Sequence, residues 1–285
     1  EMCIRDSWGA GRRKDDHREF HPANSRRQAD RDAVKNGKNL IADKALIQTS
    51  RINYGITKKT YIPSDVDTFI ITNLKLTHPA PDVLVVSYKV ALPNRVDLKA
   101  GTVMSGETLP RLTVMQWNKT LKQWQIFSHA DFDTPSASLC GSKTGRGVKR
   151  SNFSKKENQL GAEVMTEFVA AMLSNRLKEQ VLNGYQYVYA SGEKQAEDGR
   201  FRTRIEKQVP RVNLEAVQSG RLLAIRYDTQ SALSVDGEAV DQSMKPRLFT
   251  FYKNDKGEWR FIASAVFSYT AKVSASINCV KPTAH

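Results

Sequence analysis

The residues best equipped for chemistry fall in one short run, Ser128-His129-Ala130-Asp131-Phe132. Alternate side chains of an extended strand share a face, which groups Phe127, His129 and Asp131 and sets Ile126, Ser128, Ala130 and Phe132 opposite them. In a second strand-like run Arg111, Thr113 and Met115 share a face. If His129, Asp131 and Arg111 converge, they can hold an anionic substrate, or His129 can act as a general base oriented by a carboxylate. His129 and Asp131 are therefore the catalytic candidates. A polar patch on a half-solvated sheet explains the same residues without a reaction, since exposed ion pairs contribute only about 0–1 kcal/mol.

Two residue types recur along the chain and complete the candidate ligand-binding set of Tyr88, Arg111, His129, Asp131, Tyr227 and Arg247. A duplicated arginine on a strand can anchor a carboxylate through its bidentate fork. It can equally lock the sheet to a helix end or bridge the two copies, and both readings stand for Arg111 and Arg247. Tyr185, Tyr187 and Tyr189 form an aromatic ladder that packs or stacks a flat ligand. Arg200, Arg202 and Arg204 alternate with Phe201, Thr203 and Ile205, the pattern of a charge-blunted edge strand.

Other chemistries lack their motifs. Gly141-Ser142-Lys143-Thr144 has not the spacing of a phosphate-binding loop, and there is neither a dinucleotide fingerprint nor a nucleophile elbow. His17 and His21 stand four apart without the glutamate of a zinc helix, so no metal and no cofactor is expected. Cys140 and Cys279 either pair in an oxidising compartment or remain thiols.

The elements that must position these residues come as a repeat. Val83–Tyr88 lines up with Leu222–Tyr227, Leu109-Pro110-Arg111-Leu112 with Lys245-Pro246-Arg247-Leu248, and Gln123–Phe132 with Glu258–Phe267. Hairpins opening on Asn118 and Asn254 join the last two runs of each copy. In the second copy a helical stretch over about 158–183 precedes the strands, with Leu160, Val164, Phe168, Ala171 and Met172 on one face. The first copy shows no counterpart to that helix. Helix first and sheet afterwards is an α+β arrangement. The expected domains are residues 37–135 and 158–270, separated by a basic flexible linker at 136–157 and followed by a tail at 271–285.

The 285 residues have a hydrophobic share of 40%, a charged share of 26% and a net charge of +14. That balance suits a folded chain, and no apolar run is long enough for a spanning helix. Positive charge is densest in the linker, at Lys143, Arg146, Lys149, Arg150, Lys155 and Lys156, with Phe153 as its one aromatic. Glu1–Ser7 reads as a translated sequencing adapter, and residues 8–36, arginine-rich without periodicity, as a disordered or frame-shifted segment. Neither a cytoplasmic nor an exported bacterial setting is selected.

The run Pro110-Arg111-Leu112-Thr113-Val114, then Trp124, then Ser128-His129-Ala130-Asp131-Phe132, resembles the nuclear transport factor 2-like superfamily, in its SnoaL-like and ketosteroid isomerase-like branches. The resemblance implies two tandem cone-shaped domains, each a curved antiparallel sheet wrapped around N-terminal helices. It also implies a bacterial protein that binds a small, partly apolar molecule in a cone pocket, with room for an isomerase- or lyase-type activity; the adapter-like start fits a metagenomic source. No position matches the isomerase's catalytic aspartate or oxyanion tyrosine, and the second copy reads Ser264-Ala265-Val266 for His-x-Asp. Two alternatives stay open. One is a non-catalytic interaction module, paired sheet to sheet as an intrachain pseudo-dimer or a homodimer. The other, ranked behind it, is nucleic-acid binding through the basic linker.

Overall fold

The computed structural model describes residues 40–60 apart from 51 and 53, and 70–133 apart from loops at 92–94, 98–101 and 105–107. It further describes 151–190, 211–269 apart from 231–233, 236–237 and 240–242, and 271–276. The arginine ladder at 200–204, Cys140, Cys279, the Gly141–Thr144 run and the segment 1–36 lie outside the described residues.

The first half is a five-stranded sheet built from β1 (Ile41–Thr49), β2 (Ile70–Ala80), β3 (Val83–Ala91), β6 (Thr108–Asn118) and β7 (Gln123–Asp131), in the order β1-β7-β6-β3-β2. A two-stranded ribbon, β4 (Arg95–Asp97) and β5 (Thr102–Met104), lies between β3 and β6 in sequence. The second half opens with α1 (Lys155–Leu173) and a 3-10 turn at Leu177–Gln180, then β8 (Val181–Tyr189), β9 (Val212–Ser219) and β10 (Leu222–Thr229). The short β11 (Ser234–Val235) and β12 (Glu238–Ala239) precede β13 (Lys245–Lys253), β14 (Trp259–Val266) and the short helix α2 (Ala271–Ser276). Its sheet runs β8-β14-β13-β10-β9, the same order as the first.

In each sheet four strands pair antiparallel as expected, but the first strand joins parallel to the last, so the sheets are mixed. The repeat extends to the irregularities. Phe127 is skipped where β6 pairs β7, and Ile262, its counterpart, where β13 pairs β14. The register of β1 shifts between Ile41 and Leu46, as that of β8 shifts between Val181 and Gln186. Asn73 and Asn213 take positive φ values of 52° and 54° at matching bulges in β2 and β9. Asparagine tolerates this left-handed conformation better than other side chains with a Cβ. Even the hairpin asparagines act alike: Asn118 Oδ1 accepts from Thr120 and Leu121 N–H, and Asn254 Oδ1 from Lys256 and Glu258 N–H, at 2.9–3.0 Å.

The helix of the second half is shorter than its periodicity suggested. It begins at Lys155, inside the expected linker, and closes at Leu173, where Ser174 and Asn175 (φ 57°) turn the chain. The residues up to 183 become the 3-10 turn and the start of β8. The end of the linker is also anchored: Ser151 is buried against Thr57 and Thr60, and Phe153 packs on the core.

The two sheets share one core. Val83, Val85, Leu112, Val114, Phe127, Ala130 and Phe132 of the first half pack with Leu222, Ala224, Leu248, Ala263, Ala265 and Phe267 of the second. Phe132 stacks on Phe267, its own counterpart in the repeat, with ring centroids 4.4 Å apart. Polar links cross the same boundary: Ser128 Oγ to Thr250 Oγ1 at 2.7 Å, Gln186 Nε2 to Val85 O at 2.9 Å, and Tyr269 Oη to Asp133 O at 3.0 Å. Arg226, fully buried, donates across it to Gln48 Oε1 at 2.8 Å and pairs with Asp228 on its own strand. Every residue of β10 is buried because α1 covers one face and the first sheet the other.

Candidate functional site

Each sheet has a second face, turned away from the shared core. In the second half this face is filled. Val164, Met165 and Phe168 of α1 pack on Leu223, Ile225, Tyr227, Phe249, Phe251 and Phe261. Phe168 lies 5.3–5.9 Å from the rings of Phe261, Phe251 and Phe249. Gly161 permits the close approach: a Cβ there would meet the Ala216 Cβ at 2.9 Å. Asn158 Oδ1 accepts from Ala216 N–H at 2.8 Å and Glu157 Oε1 from Gln218 N–H at 3.2 Å, pinning the start of the helix to the edge strand.

In the first half the centre of the same face is polar. Adjacent strands set Tyr88 opposite Arg111, Arg111 opposite Asp131, and Thr113 opposite His129. Thr113 Oγ1 and His129 Nδ1 are 2.8 Å apart, and Tyr88 also bonds to Thr113. Arg111 Nη2 meets Asp131 Oδ1 at 2.7 Å. Burial pushes the Tyr88 hydroxyl up, and it drives the His129 imidazolium down to about 4. Asp131 opposes that effect on His129 and Arg111 reinforces it. His129 is therefore neutral at ordinary pH, with Thr113 rather than a carboxylate fixing its Nδ1.

Tyr88, Arg111, His129 and Asp131 thus meet, but not in the relay that their types suggested, because the arginine takes the carboxylate that would have oriented the imidazole. Phe127 does not share their face either. The bulge at that residue breaks the parity of β7 and sends its side chain into the shared core.

Tyr227 and Arg247 sit in the filled half, apart from that cluster. Tyr227 stacks on Phe249 at 5.7 Å, and burial raises its hydroxyl to about 12. Arg247 is buried among Tyr187, Tyr189 and Tyr227, its charge opposed by desolvation, and donates to Ser268 Oγ at 2.9 Å. Arg111 reaches the equivalent place in its own half, donating to Phe132 O at 2.5 Å. Both arginines therefore clamp a strand to the chain leaving the sheet. Tyr185 packs on Phe261, and Tyr187 and Tyr189 meet edge to face, so the ladder is packing.

Thr113 was legible only as a neighbour on the strand, since its role depends on pairing register. Arg226 carried a plainer signal, a charge set between the apolar run Leu222-Leu223-Ala224-Ile225 and Tyr227. Among the described residues no group of three metal-ligating side chains converges, and no helix is long and apolar enough to cross a membrane.

Two sheets of identical order carry the Pro-Arg-Leu and Trp motifs at equivalent places; they are mixed rather than antiparallel, and among the described residues a long helix packs only on the second. The chain is two tandem copies of one five-stranded mixed-sheet unit, the tandem arrangement that the nuclear transport factor 2-like resemblance implied. Solved structures similar to this chain include a candidate ketosteroid isomerase from Parabacteroides distasonis, at 12% identity over 34% of this chain and 72% of that one, with a TM-score of 0.27. Another is a candidate calcium/calmodulin-dependent protein kinase II association domain from Xanthomonas campestris, at 15% identity over 41% and 90%, TM-score 0.27. A nuclear transport factor 2-like protein involved in plasmid conjugation matches at 8% over 70% and 76%, TM-score 0.24. Scores this low carry no argument. No family model and no curated protein matches the chain.

Proposed function

We propose that the chain is a small-molecule binding module with one working half: the first sheet holds the ligand site and the second is its scaffold. One contrast carries this reading. The Tyr88–Thr113–His129 chain beside the Arg111–Asp131 pair occupies a face whose counterpart positions, Phe249, Ser264 and Val266, lie in a half filled by α1.

The electrostatics define the ligand class. Asp131 neutralises Arg111, and the imidazole is uncharged, so the cluster offers directed hydrogen bonds without net charge. Such a site suits a neutral, partly apolar molecule with one or two polar groups better than a phosphate. A base titrating near 4 is weak at neutral pH, which favours binding over proton abstraction.

The test is nitrogen-detected NMR of the histidine side chains during titration with neutral cyclic ketones and phenols. The His129 ring signals are expected to move, saturably, with at least one of them. Resonances indifferent to every compound while the protein stays folded would defeat the reading.

The paired sheets favour the interaction reading in one respect: the sheet-to-sheet contact it called for is made within the chain, at the Phe132–Phe267 stack. Linker binding to nucleic acid loses its stacking residue, since Phe153 packs against the core.

A further inference from the structure

The face that carries the polar cluster ends, toward the β6–β7 hairpin, in a group of rings. Leu112 and Val114 of β6 point into the shared core, so alternation turns Met115 and Trp117 to the other face. Trp117 pairs across the strands with Trp124, ring centroids 5.5 Å apart and planes at 66°. His78 comes within 6.2 Å of the Trp124 ring. It belongs to β2, and β3 and β6 lie between that strand and β7. Three strand spacings amount to about 14 Å, so the two side chains lean toward one another across the face. Trp117 is 38% exposed, and His78 is exposed as well.

The second copy uses the same positions differently. Trp259 stands for Trp124, and Lys253 for Trp117 as its cross-strand partner. The Lys253 ammonium lies 5.5 Å from the centre of the Trp259 ring, and Trp259 packs against the core under α1. Gln218 takes the place of His78, and its N–H is held by Glu157 of α1. The second copy thus gives its tryptophan a lysine and a helix for neighbours, whereas the first surrounds Trp124 with two further rings.

Between these rings and the polar cluster runs a half-buried apolar row, Leu84, Met115 and Ile126, set side by side by strand pairing. Thr113 and Trp117 are about 13 Å apart along β6. A molecule anchored at His129 and Thr113 therefore reaches the indoles only if it is elongated. Along that row the hydroxyls of a sugar would lose water without gaining partners. An aryl group instead adds ring-to-ring contact with the indoles to its buried area.

We propose that the ligand of the first half is an elongated aryl compound. Its polar group meets His129 and Thr113, and its far ring packs on Trp124 and Trp117. This ligand class rests on the proposed site in the first half, and it makes the two tryptophans the residues that determine specificity there.

The probes are para-phenylphenol and para-cyclohexylphenol, alike in length and hydroxyl but differing in whether the far ring is aromatic. Each is titrated into the isotope-labelled full chain while NMR follows the tryptophan indole and histidine ring signals. Para-phenylphenol should shift the Trp124 indole and the His129 ring together, and bind at least about threefold tighter than para-cyclohexylphenol. Trp117→Leu with Trp124→Leu should abolish that preference, and Trp259→Phe should keep it. Circular dichroism of the double variant checks that it is folded. Equal affinity of the unaltered protein for the two compounds would overturn the ligand class while leaving the polar site standing. His129 shifts without indole shifts would do the same. Indole shifts that leave His129 unmoved would detach the tryptophans from the polar site and overturn the proposal. If neither signal moves with either compound, the site and its ligand class fall together.

Discussion

His129 shows how far a side chain's behaviour depends on register. Its sequence neighbourhood advertises a carboxylate-oriented base, yet the sheet pairs it with Thr113 and gives Asp131 to Arg111. The pH dependence follows from the depressed imidazole. The unfolded chain binds a proton near 6.5, and the folded one only near 4. Between those values the unfolded state holds more protons, so stability contributed by neutral His129 is complete above about 6.5 and is lost as pH falls toward 4. The slope is at most about 1.4 kcal/mol per pH unit. Urea unfolding from pH 7 to pH 4.5 should show it, and His129→Gln should flatten it; equal slopes in both proteins would place the titration elsewhere. The candidate cluster was half legible in advance, because strand parity groups residues along one strand while hydrogen-bond partners need the neighbour's register. Phe127 departs from strand parity for a related reason, since a bulge shifts a strand's faces without leaving a mark on its composition.

At the scale of elements, the duplicated strands were readable because Pro-Arg-Leu, Trp and Phe recur in order, whereas the parallel closure by β1 and β8 was not. The order of strands in a sheet is set by long-range contacts that alternation along one strand does not encode. Leu177 and Val181 continue the apolar spacing past Asn175, whose positive φ nevertheless ends the helix, so periodicity alone overruns the boundary. The matched bulges at Asn73 and Asn213 carry an expected cost for other residues. Asn73, exposed, should accept glycine with little change. Valine there should cost about 1–2 kcal/mol, because its branched Cβ resists the left-handed region. Paired thermal melts of the two variants check this, and similar melting points for both would show that the bulge relaxes.

On the scale of the whole molecule, the shared core makes the two copies one folding unit. Phe132 and Phe267 join them at equivalent positions, and Arg226 reaches from the second sheet to Gln48 of the first. Truncating either ring to alanine should cost about 3–5 kcal/mol. The double-mutant coupling should be about 0.5–1.5 kcal/mol, as for other aromatic pairs. Both variants should unfold in a single transition, and two transitions in calorimetry would mean that the halves are independent. The two halves differ on their outer faces: α1 and its phenylalanines fill the second, while Tyr88, Thr113 and His129 keep the centre of the first polar, the contrast on which the proposed ligand site rests.

That division is tested most directly by native mass spectrometry of the full chain against a panel of neutral aromatic and alicyclic molecules. Retention of a small mass should disappear when Tyr88→Phe is combined with His129→Ala, and should survive Tyr227→Phe. A bound mass that ignores the first pair of changes, or is lost with Tyr227 instead, would contradict a ligand site in the first half.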